Sequence, residues 1–246
     1  MGKKQRLDRI LVHLGVGSRS ELKKLAKQGR LAVNGLAVKD SGLQVDPEND
    51  VIEVDGFRQH YREFVYIMLH KPQGVVSATE DNRDRTVLDL LDDGLRVFEP
   101  FPVGRLDKDT EGLLLLTNDG GLAHQLLSPR KHVPKTYYAH VEGEVSEADK
   151  QAFRIGVTLD DGYTTLPAEL MIATVDRSLS PPVSTITLTI HEGKFHQVKR
   201  MFQAVGKKVI YLKRLQMGSL ELDPELPLGG FRELTAAEIE RLQTYK

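Results

Sequence analysis

Acidic residues are concentrated in residues 104–121, GRLDKDTEGLLLLTNDGG, around four consecutive leucines. Asp107, Asp109, Glu111 and Gly112 match the opening of a calcium-binding loop, in which acids alternate and a glycine follows. A carboxylate on a turn that leads into a buried strand is also suited to catalysis, because a rigid sheet edge can position a nucleophile. The third interpretation is a solvated acidic turn without chemistry, which is what most Asp-rich turns are.

The calcium interpretation fails on spacing. A loop that begins at Asp107 requires a bidentate Glu at its twelfth position, and that residue is Asn118. The catalytic interpretation fits better, because LLLLT predicts a strand that is buried on both faces. Arg105 and Lys108 flank the turn and would hold a neighbouring acid in its ionised form. A structural Arg–Asp pair is the alternative that spacing alone leaves open.

Composition limits the class of protein. The chain has 246 residues, of which 40% are hydrophobic and 28% are charged, as expected for a globular protein with a hydrophobic core. It contains no cysteine, so disulfides and thiolate chemistry are excluded. No apolar run is long enough to span a bilayer, and the charged start MGKKQRLDRI does not resemble a secretory signal. We therefore expect a cytoplasmic protein that does not bind membranes.

Positive charge is concentrated at the start of the chain. Residues 1–45 contain ten Lys or Arg against three acids, a local charge of +7 in a chain whose net charge is −1. These cations are Lys3, Lys4, Arg6, Arg9, Arg19, Lys23, Lys24, Lys27, Arg30 and Lys39. A basic segment on an acidic body predicts a module that binds a polyanion, and a solvated helix face is the alternative.

The same segment predicts two helices and a hairpin. Apolar residues between Leu7 and Leu14 recur at helical spacing, and Ser18 with Glu21 forms a capping box for a second helix. Asn-Gly within LAVNGLAV is a strong hairpin signal. One face of the second helix would carry three lysines, namely Lys23, Lys24 and Lys27.

Residues 6–35, RLDRILVHLGVGSRSELKKLAKQGRLAVNG, resemble the αL-type RNA-binding module that a small-subunit ribosomal protein shares with several RNA-modifying enzymes. The resemblance implies an RNA-binding domain over residues 1–60 and a second domain over residues 61–246. FRQHYRE, residues 57–63, would be the linker. The RNA-binding residues would be Arg6, Arg9, Arg19, Lys23, Lys24, Lys27 and Arg30.

From Val65 onward the pattern changes to strands mixed with short helices. VYIML and TITLTI predict strands, and KFHQVKRMFQAVG places apolar residues from Phe195 to Val205 at helical spacing. Thr235 and Glu238 form a capping box for a final helix. These elements predict an α+β body dominated by sheet.

Four ordered elements of this body resemble the pseudouridine synthases. In the signature GRLDKDTEGLLLLTNDG, the family's catalytic residue is the Asp after Gly-Arg-Leu, which here is Asp107. KTY matches a second element with Lys135 and Tyr137, and EGKFHQVKRMF matches a third with Lys199 in its basic position. HKPQGVVSATE matches a fourth, and with TVLDLL it is most similar to the RsuA family, which modifies small-subunit ribosomal RNA.

The resemblance implies a small αL RNA-binding domain followed by a larger, mainly antiparallel-sheet catalytic domain. It implies site-specific isomerisation of uridine to pseudouridine in ribosomal RNA, most closely 16S RNA, without cofactor or metal. The partner would be ribosomal RNA or an assembling subunit, and we expect a monomer. Alternatives are a synthase of large-subunit RNA and a non-catalytic RNA-binding assembly factor.

The resemblance also implies roles for individual residues. Asp107 would act as nucleophile or abstract a ribose proton, and Tyr137 would stack on the target base. The family often has Arg in the position of Lys199, so either Lys199 or Arg200 would pair with Asp107. The residues that bind substrate would be Arg105, Lys135, Tyr137, Gln197, Lys199 and Arg200. His191 and His196 are spaced as a metal pair, but without a third ligand nearby ordinary polar roles are expected.

Overall fold

The computed structural model of the protein describes residues 4–245, so Lys3 lies outside the described residues. The chain divides into two compact units. The first comprises Met1–Val65 and Asp92–Glu99, and the second comprises Tyr66–Leu91 and Pro100–Lys246. Residues 92–99 lie within the expected second domain, 61–246, but their contacts assign them to the first unit.

Within its described residues, 4–65 and 92–99, the first unit contains short strands and three helices. Its elements are β1 (Gln5–Arg6), α1 (Leu7–His13), α2 (Arg19–Lys27), β2 (Leu31–Val33), β3 (Leu36–Ala37), β4 (Gln44–Val45), β5 (Ile52–Val54), β6 (Phe57–Gln59) and α3 (Asp93–Arg96). Four strands form an antiparallel sheet in the order β3-β2-β5-β6, and β1 pairs with β4. Apolar residues of α1, α2 and the sheet form one buried cluster.

Local signals explain most of this unit. The capping box of α2 is confirmed, because Glu21 N–H donates to Ser18 Oγ at 3.4 Å and Ser18 N–H donates to Glu21 Oε2 at 2.7 Å. Asn34 and Gly35 have φ of 54° and 77°, and they join β2 to β3 as a hairpin. The predicted linker 57–63 is wrong in its first residues, because Phe57–Gln59 pairs with β5 as a strand.

The second unit is built on a large sheet. Its elements are β7 (Tyr66–Lys71), β8 (Phe101–Pro102), β9 (Glu111–Thr117), α4 (Gly120–Leu127), β10 (Lys135–Glu142), α5 (Glu147–Ile155), β11 (Glu169–Asp176), β12 (Val183–Ile190), α6 (Gln197–Ala204), β13 (Lys208–Met217), β14 (Leu220–Glu221), β15 (Phe231–Glu233) and α7 (Ala236–Gln243), with 3₁₀ turns at Val87–Leu90 and Pro129–Lys131.

Nine strands of this unit form one sheet in the order β11-β12-β10-β13-β9-β7-β15, with β14 on β13 and β8 on β9. All of its pairings are antiparallel except that of β13 with β9. The predicted buried strand is confirmed, because the four leucines Leu113–Leu116 are at most 1% exposed. The fold is therefore α+β with a mainly antiparallel sheet in the second unit, as the resemblance implies.

Helices cover parts of this sheet. Buried residues of α4 and α7 belong to one hydrophobic cluster, which also includes Leu115 and Met217 of the sheet. The capping box of α7 is confirmed at Thr235 and Glu238. No helix within residues 4–245 combines the length and the apolar character needed to cross a membrane.

Helix α6 begins later than its apolar spacing predicts. His196 has a left-handed φ of 48°, which interrupts helical backbone and leaves Phe195 outside the helix. Phe195 is 69% exposed, and its ring stacks on the His196 ring at a centroid distance of 3.7 Å. The prediction that the helix includes Phe195 is wrong.

Candidate active site

Asp107 lies on the turn between β8 and β9 and lines a cavity of about 1020 Å³ in the second unit. Gly112 has φ of 110°, and a Cβ there would lie 2.2 Å from the Arg214 carbonyl oxygen. Only glycine therefore permits the parallel pairing of Gly112 with Arg214, which joins the Asp107 turn to β13.

The backbone of the turn is held by a buried lysine. Lys71 has no exposed surface, and its Nζ donates to the carbonyl oxygens of Asp107 and Thr110 at 2.9 Å and of Pro72 at 3.0 Å. Burial lowers the pKa of Lys71 to about 8, although nearby carboxylates, Asp107 first among them, oppose the shift. Lys71 thus remains mainly protonated at neutral pH and uses its three protons to fix the turn.

Lys199 on α6 is the salt-bridge partner of Asp107. Its Nζ lies 3.0 Å from Oδ2 of Asp107 and 2.6 Å from Oδ1 of Asp109. Burial lowers the pKa of Lys199, but hydrogen bonds to Asp109 and Asp107 raise it more, so the pKa lies above its ordinary value. His196 Nε2 lies 3.5 Å from the other oxygen of Asp107, Oδ1. One carboxylate therefore faces both a lysine and an imidazole.

Three other cations lie close to Asp107 or Lys199 in the sequence but do not pair with Asp107. Arg200 pairs with Asp160 and Asp161, so Lys199 is the neighbour of Asp107 that the sequence analysis left undecided. Lys108 Nζ lies 2.6 Å from Asp84 Oδ1, so the acid that it pairs with lies outside the Asp107 turn. Arg105 is exposed and lines the cavity.

Strand β10 supplies an aromatic ring and a second lysine to the cavity wall. Tyr137 is 8% exposed and lines the cavity, as does Lys135. Lys135 Nζ donates to the Val133 carbonyl oxygen at 3.0 Å. Burial and the nearby Arg214 charge lower the pKa of Lys135 to about 8.

Arg214 on β13 is a site residue that the sequence analysis missed. It is 2% exposed, lines the cavity and pairs across the sheet with Tyr137. Its Nε donates to the Leu113 carbonyl oxygen at 2.8 Å. In the strand KVIYLKRLQM, Arg214 looks like any charged residue of an alternating pattern, so no local sequence signal marks it as a site residue.

Gln197 supports the loop that precedes α6. Its Oε1 accepts a hydrogen bond from the Lys194 backbone N–H at 2.8 Å, and its Nε2 donates to Glu192 Oε1 at 2.8 Å. Glu192 also accepts from the Tyr163 hydroxyl at 2.6 Å. These contacts hold the loop that carries His196 beside Asp107.

The cations predicted to bind RNA in the first unit are all exposed, namely Arg6, Arg9, Arg19, Lys23, Lys24, Lys27 and Arg30. The three lysines lie on α2, as predicted. Arg6 forms a salt bridge with Asp8, and Arg30 forms one with Asp55. The charge available to a polyanion is therefore greatest along α2.

The structure shows no metal site in the part of the chain that it describes, since no three His, Asp or Glu side chains there are grouped as ligands. His191 and His196 do not act as a pair. His191 Nδ1 is 3.3 Å from the His132 carbonyl oxygen, whereas His196 contacts Asp107.

A half-buried carboxylate beside a lysine, in a cavity with an aromatic wall and further cations, suits reaction with part of an anionic polymer. Together with a separate unit bearing a basic helix, this site defines an enzyme that acts on nucleic acid. Residues 65–204 match the RNA pseudouridylate synthase family, and residues 5–52 match the S4 domain.

Relatives extend this match to almost the whole chain. An uncharacterized RNA pseudouridine synthase of Bacillus subtilis is 52% identical and covers 96% of this chain and 98% of its own. The ribosomal large subunit pseudouridine synthase B of Bacillus subtilis is 41% identical, covering 97% and 96%. The ribosomal small subunit pseudouridine synthase A of Yersinia pestis is also 41% identical, covering 95% and 96%. The chain belongs to the RNA pseudouridylate synthase family, and it is a pseudouridine synthase of the RsuA/RluB type.

Proposed function

We propose that this protein converts one specific uridine of small-subunit (16S) ribosomal RNA to pseudouridine, with Asp107 as its catalytic residue. The observation that carries the proposal is the position of Asp107, in a cavity and 3.0 Å from Lys199. The elements HKPQGVVSATED and TVLDLL favour the small subunit. Relatives named for the two subunits are equally similar at 41%, so large-subunit RNA is the second candidate.

The reaction exchanges one glycosidic bond for another. The bond between ribose C1′ and uracil N1 breaks, the base turns, and C1′ joins C5, which releases its hydrogen as a proton while N1 gains one. Asp107 would act either as the nucleophile at C1′ or as the base that removes a ribose proton. Lys199 would balance the carboxylate charge once RNA excludes water, and Tyr137 would support the base by stacking.

The first test replaces Asp107 with Asn, which keeps the shape of the side chain and removes its charge. We expect the variant to lose pseudouridine formation on ribosomal RNA while it still binds that RNA. Asp160→Asn is the matched control, because Asp160 pairs with Arg200 and not with Lys199. Wild-type rates in Asp107→Asn, measured by tritium release from uracil C5, would refute the assignment.

The second test identifies the RNA. Pseudouridines in ribosomal RNA are mapped in a strain that lacks the gene and in the same strain complemented by wild type or Asp107→Asn. Loss of one 16S pseudouridine that only the wild type restores supports the proposal. Loss from large-subunit RNA supports the second candidate, and no loss anywhere supports a non-catalytic assembly factor.

A further inference from the structure

Lys135, which is half-buried, and Arg214, which is buried, line the wall of the cavity and have no carboxylate partner among residues 4–245. Lys135 Nζ contacts the Val133 carbonyl oxygen, and Arg214 Nε contacts the Leu113 carbonyl oxygen. Arg214 Nη2 is buried and has no hydrogen-bond partner. Among residues 4–245, no Asp or Glu forms a salt bridge with either side chain.

The other two cations packed around Asp107 have either all of their donors hydrogen-bonded or their charge neutralised. Lys71 donates to three carbonyl oxygens, and Lys199 pairs with Asp107 and Asp109. A buried cation without a counter-charge is costly, and Lys135 and Arg214 lie close enough that the charge of Arg214 contributes to lowering the Lys135 pKa. This part of the cavity is therefore suited to an anionic ligand atom.

The position of the pair indicates which atom that is. Tyr137 lies across from Arg214 in the sheet and two residues after Lys135, on the same face of β10. Both cations thus flank the ring that, under the proposed function, supports the target base. A group beside this ring meets the edge of the base before it meets the RNA backbone.

Cleavage of the C1′–N1 bond leaves an electron pair on N1, which the uracil ring delocalises onto O2 and O4. We propose that Lys135 and Arg214 form an oxyanion subsite that binds a uracil carbonyl oxygen and stabilises the negative charge of the cleaved base. This inference rests on the proposed function. The base loses this charge when C5 joins C1′; the C5 proton is then lost while N1 gains one, so the subsite needs no co-reactant.

The test uses single-turnover rates of the full-length protein on an RNA that contains the target uridine. For Arg214→Met and for Lys135→Met we expect cleavage to slow by about 100- to 1000-fold, as for loss of one preorganised oxyanion donor, with RNA affinity within about threefold of wild type. Lys213→Met is the control, because Lys213 is the neighbouring residue of the same strand and points to the opposite sheet face.

A second substrate tests the charge on the base. The anion of 5-fluorouracil is more stable than that of uracil, so the loss in both variants should be smaller on an RNA with 5-fluorouridine at the target. An equal loss on the two RNAs, or no loss, would overturn the inference.

A third substrate tests a backbone phosphate as the bound group. If the pair binds phosphate, a neutral methylphosphonate at the target nucleotide weakens wild-type binding and has no further effect in Arg214→Met. That outcome also overturns the inference.

Thermal melting shows whether each variant folds. If Arg214→Met does not fold, Arg214→Lys and Lys135→Met provide the test. If the wild type forms pseudouridine and the variants are unaffected, the inference about the subsite fails while the proposed function stands.

Discussion

Lys199 reaches Asp107 from α6, and its Nζ lies 3.0 Å from the Asp107 carboxylate. The two residues belong to different elements, since Asp107 lies on the turn before β9. Two separate supports maintain this distance. Lys71 fixes the backbone of the turn, and Gln197 fixes the loop before α6. The salt bridge therefore depends on two further polar contacts, one in the Asp107 turn and one in the loop before α6.

Replacement of Lys199 by Met should slow pseudouridine formation by about 10- to 100-fold, since a hydrogen bond to a charged group contributes about 1.5–3 kcal/mol. Lys199→Arg should retain most of the rate because it keeps the charge. Arg200→Met is the matched control, because Arg200 pairs with Asp160 and Asp161. A greater loss in Arg200→Met than in Lys199→Met would contradict the geometry.

Replacement of Lys23, Lys24 and Lys27 together by Gln should weaken RNA binding at low salt. The slope of log affinity against log salt should become shallower by about 2, because each phosphate contact contributes about 0.7–0.9. Arg241→Gln, an exposed cation on α7, serves as the control. Binding measured by fluorescence anisotropy at several salt concentrations gives the slope, and an unchanged slope counts against this helix face.

The rate of the enzyme should fall as the pH rises through about 8, the lowered pKa of Lys135. Below that pH Lys135 carries its positive charge, and above it the charge is lost. Lys135→Arg should remove this decline, because arginine stays protonated. Rates of pseudouridine formation measured from about pH 7 to about pH 9 check the expectation. The same decline in Lys135→Arg would assign it to another group, such as Lys71, whose pKa is also about 8.

Gly112→Ala should destabilise the protein by about 3 kcal/mol or more, because the new Cβ would lie 2.2 Å from the Arg214 carbonyl oxygen. The backbone of β9 or β13 would have to shift, and the Asp107 turn would shift with it. Gly120→Ala is the control, since no atom lies within 4 Å of a Cβ at that position. Urea unfolding measures both variants, and equal stabilities would show that the strands adjust at little cost.

Acid should weaken the attachment of α7. Hydrogen bonds from Arg232 lower the pKa of Glu238 to about 2 from 4.5. The carboxylate therefore stabilises the fold fully above pH 4.5 and loses this contribution as the pH falls towards 2. Glu238→Gln should lower the free energy of unfolding at neutral pH by about 1–3 kcal/mol and show a smaller acid dependence. Glu240→Gln, exposed on the same helix, is the control.

Local patterns predicted the elements well where the signal lies within a few residues. The capping boxes at Ser18 and Thr235, the Asn34-Gly35 hairpin and the buried strand before Thr117 are all present. Each depends on short-range hydrogen bonds or on side-chain periodicity. The start of α6 was missed because the left-handed backbone of His196 is not visible in apolar spacing.

The sequence by itself determined the two-domain plan, the α+β class and the signature around Asp107, because these depend on composition, periodicity and neighbouring residues. Only the tertiary structure decided that Lys199 rather than Arg200 meets Asp107, and that Lys71 and Arg214 belong to the same site. These contacts join strands and helices that are far apart in the chain. Such contacts depend on how the sheet is ordered, and no local preference of the residues encodes that order.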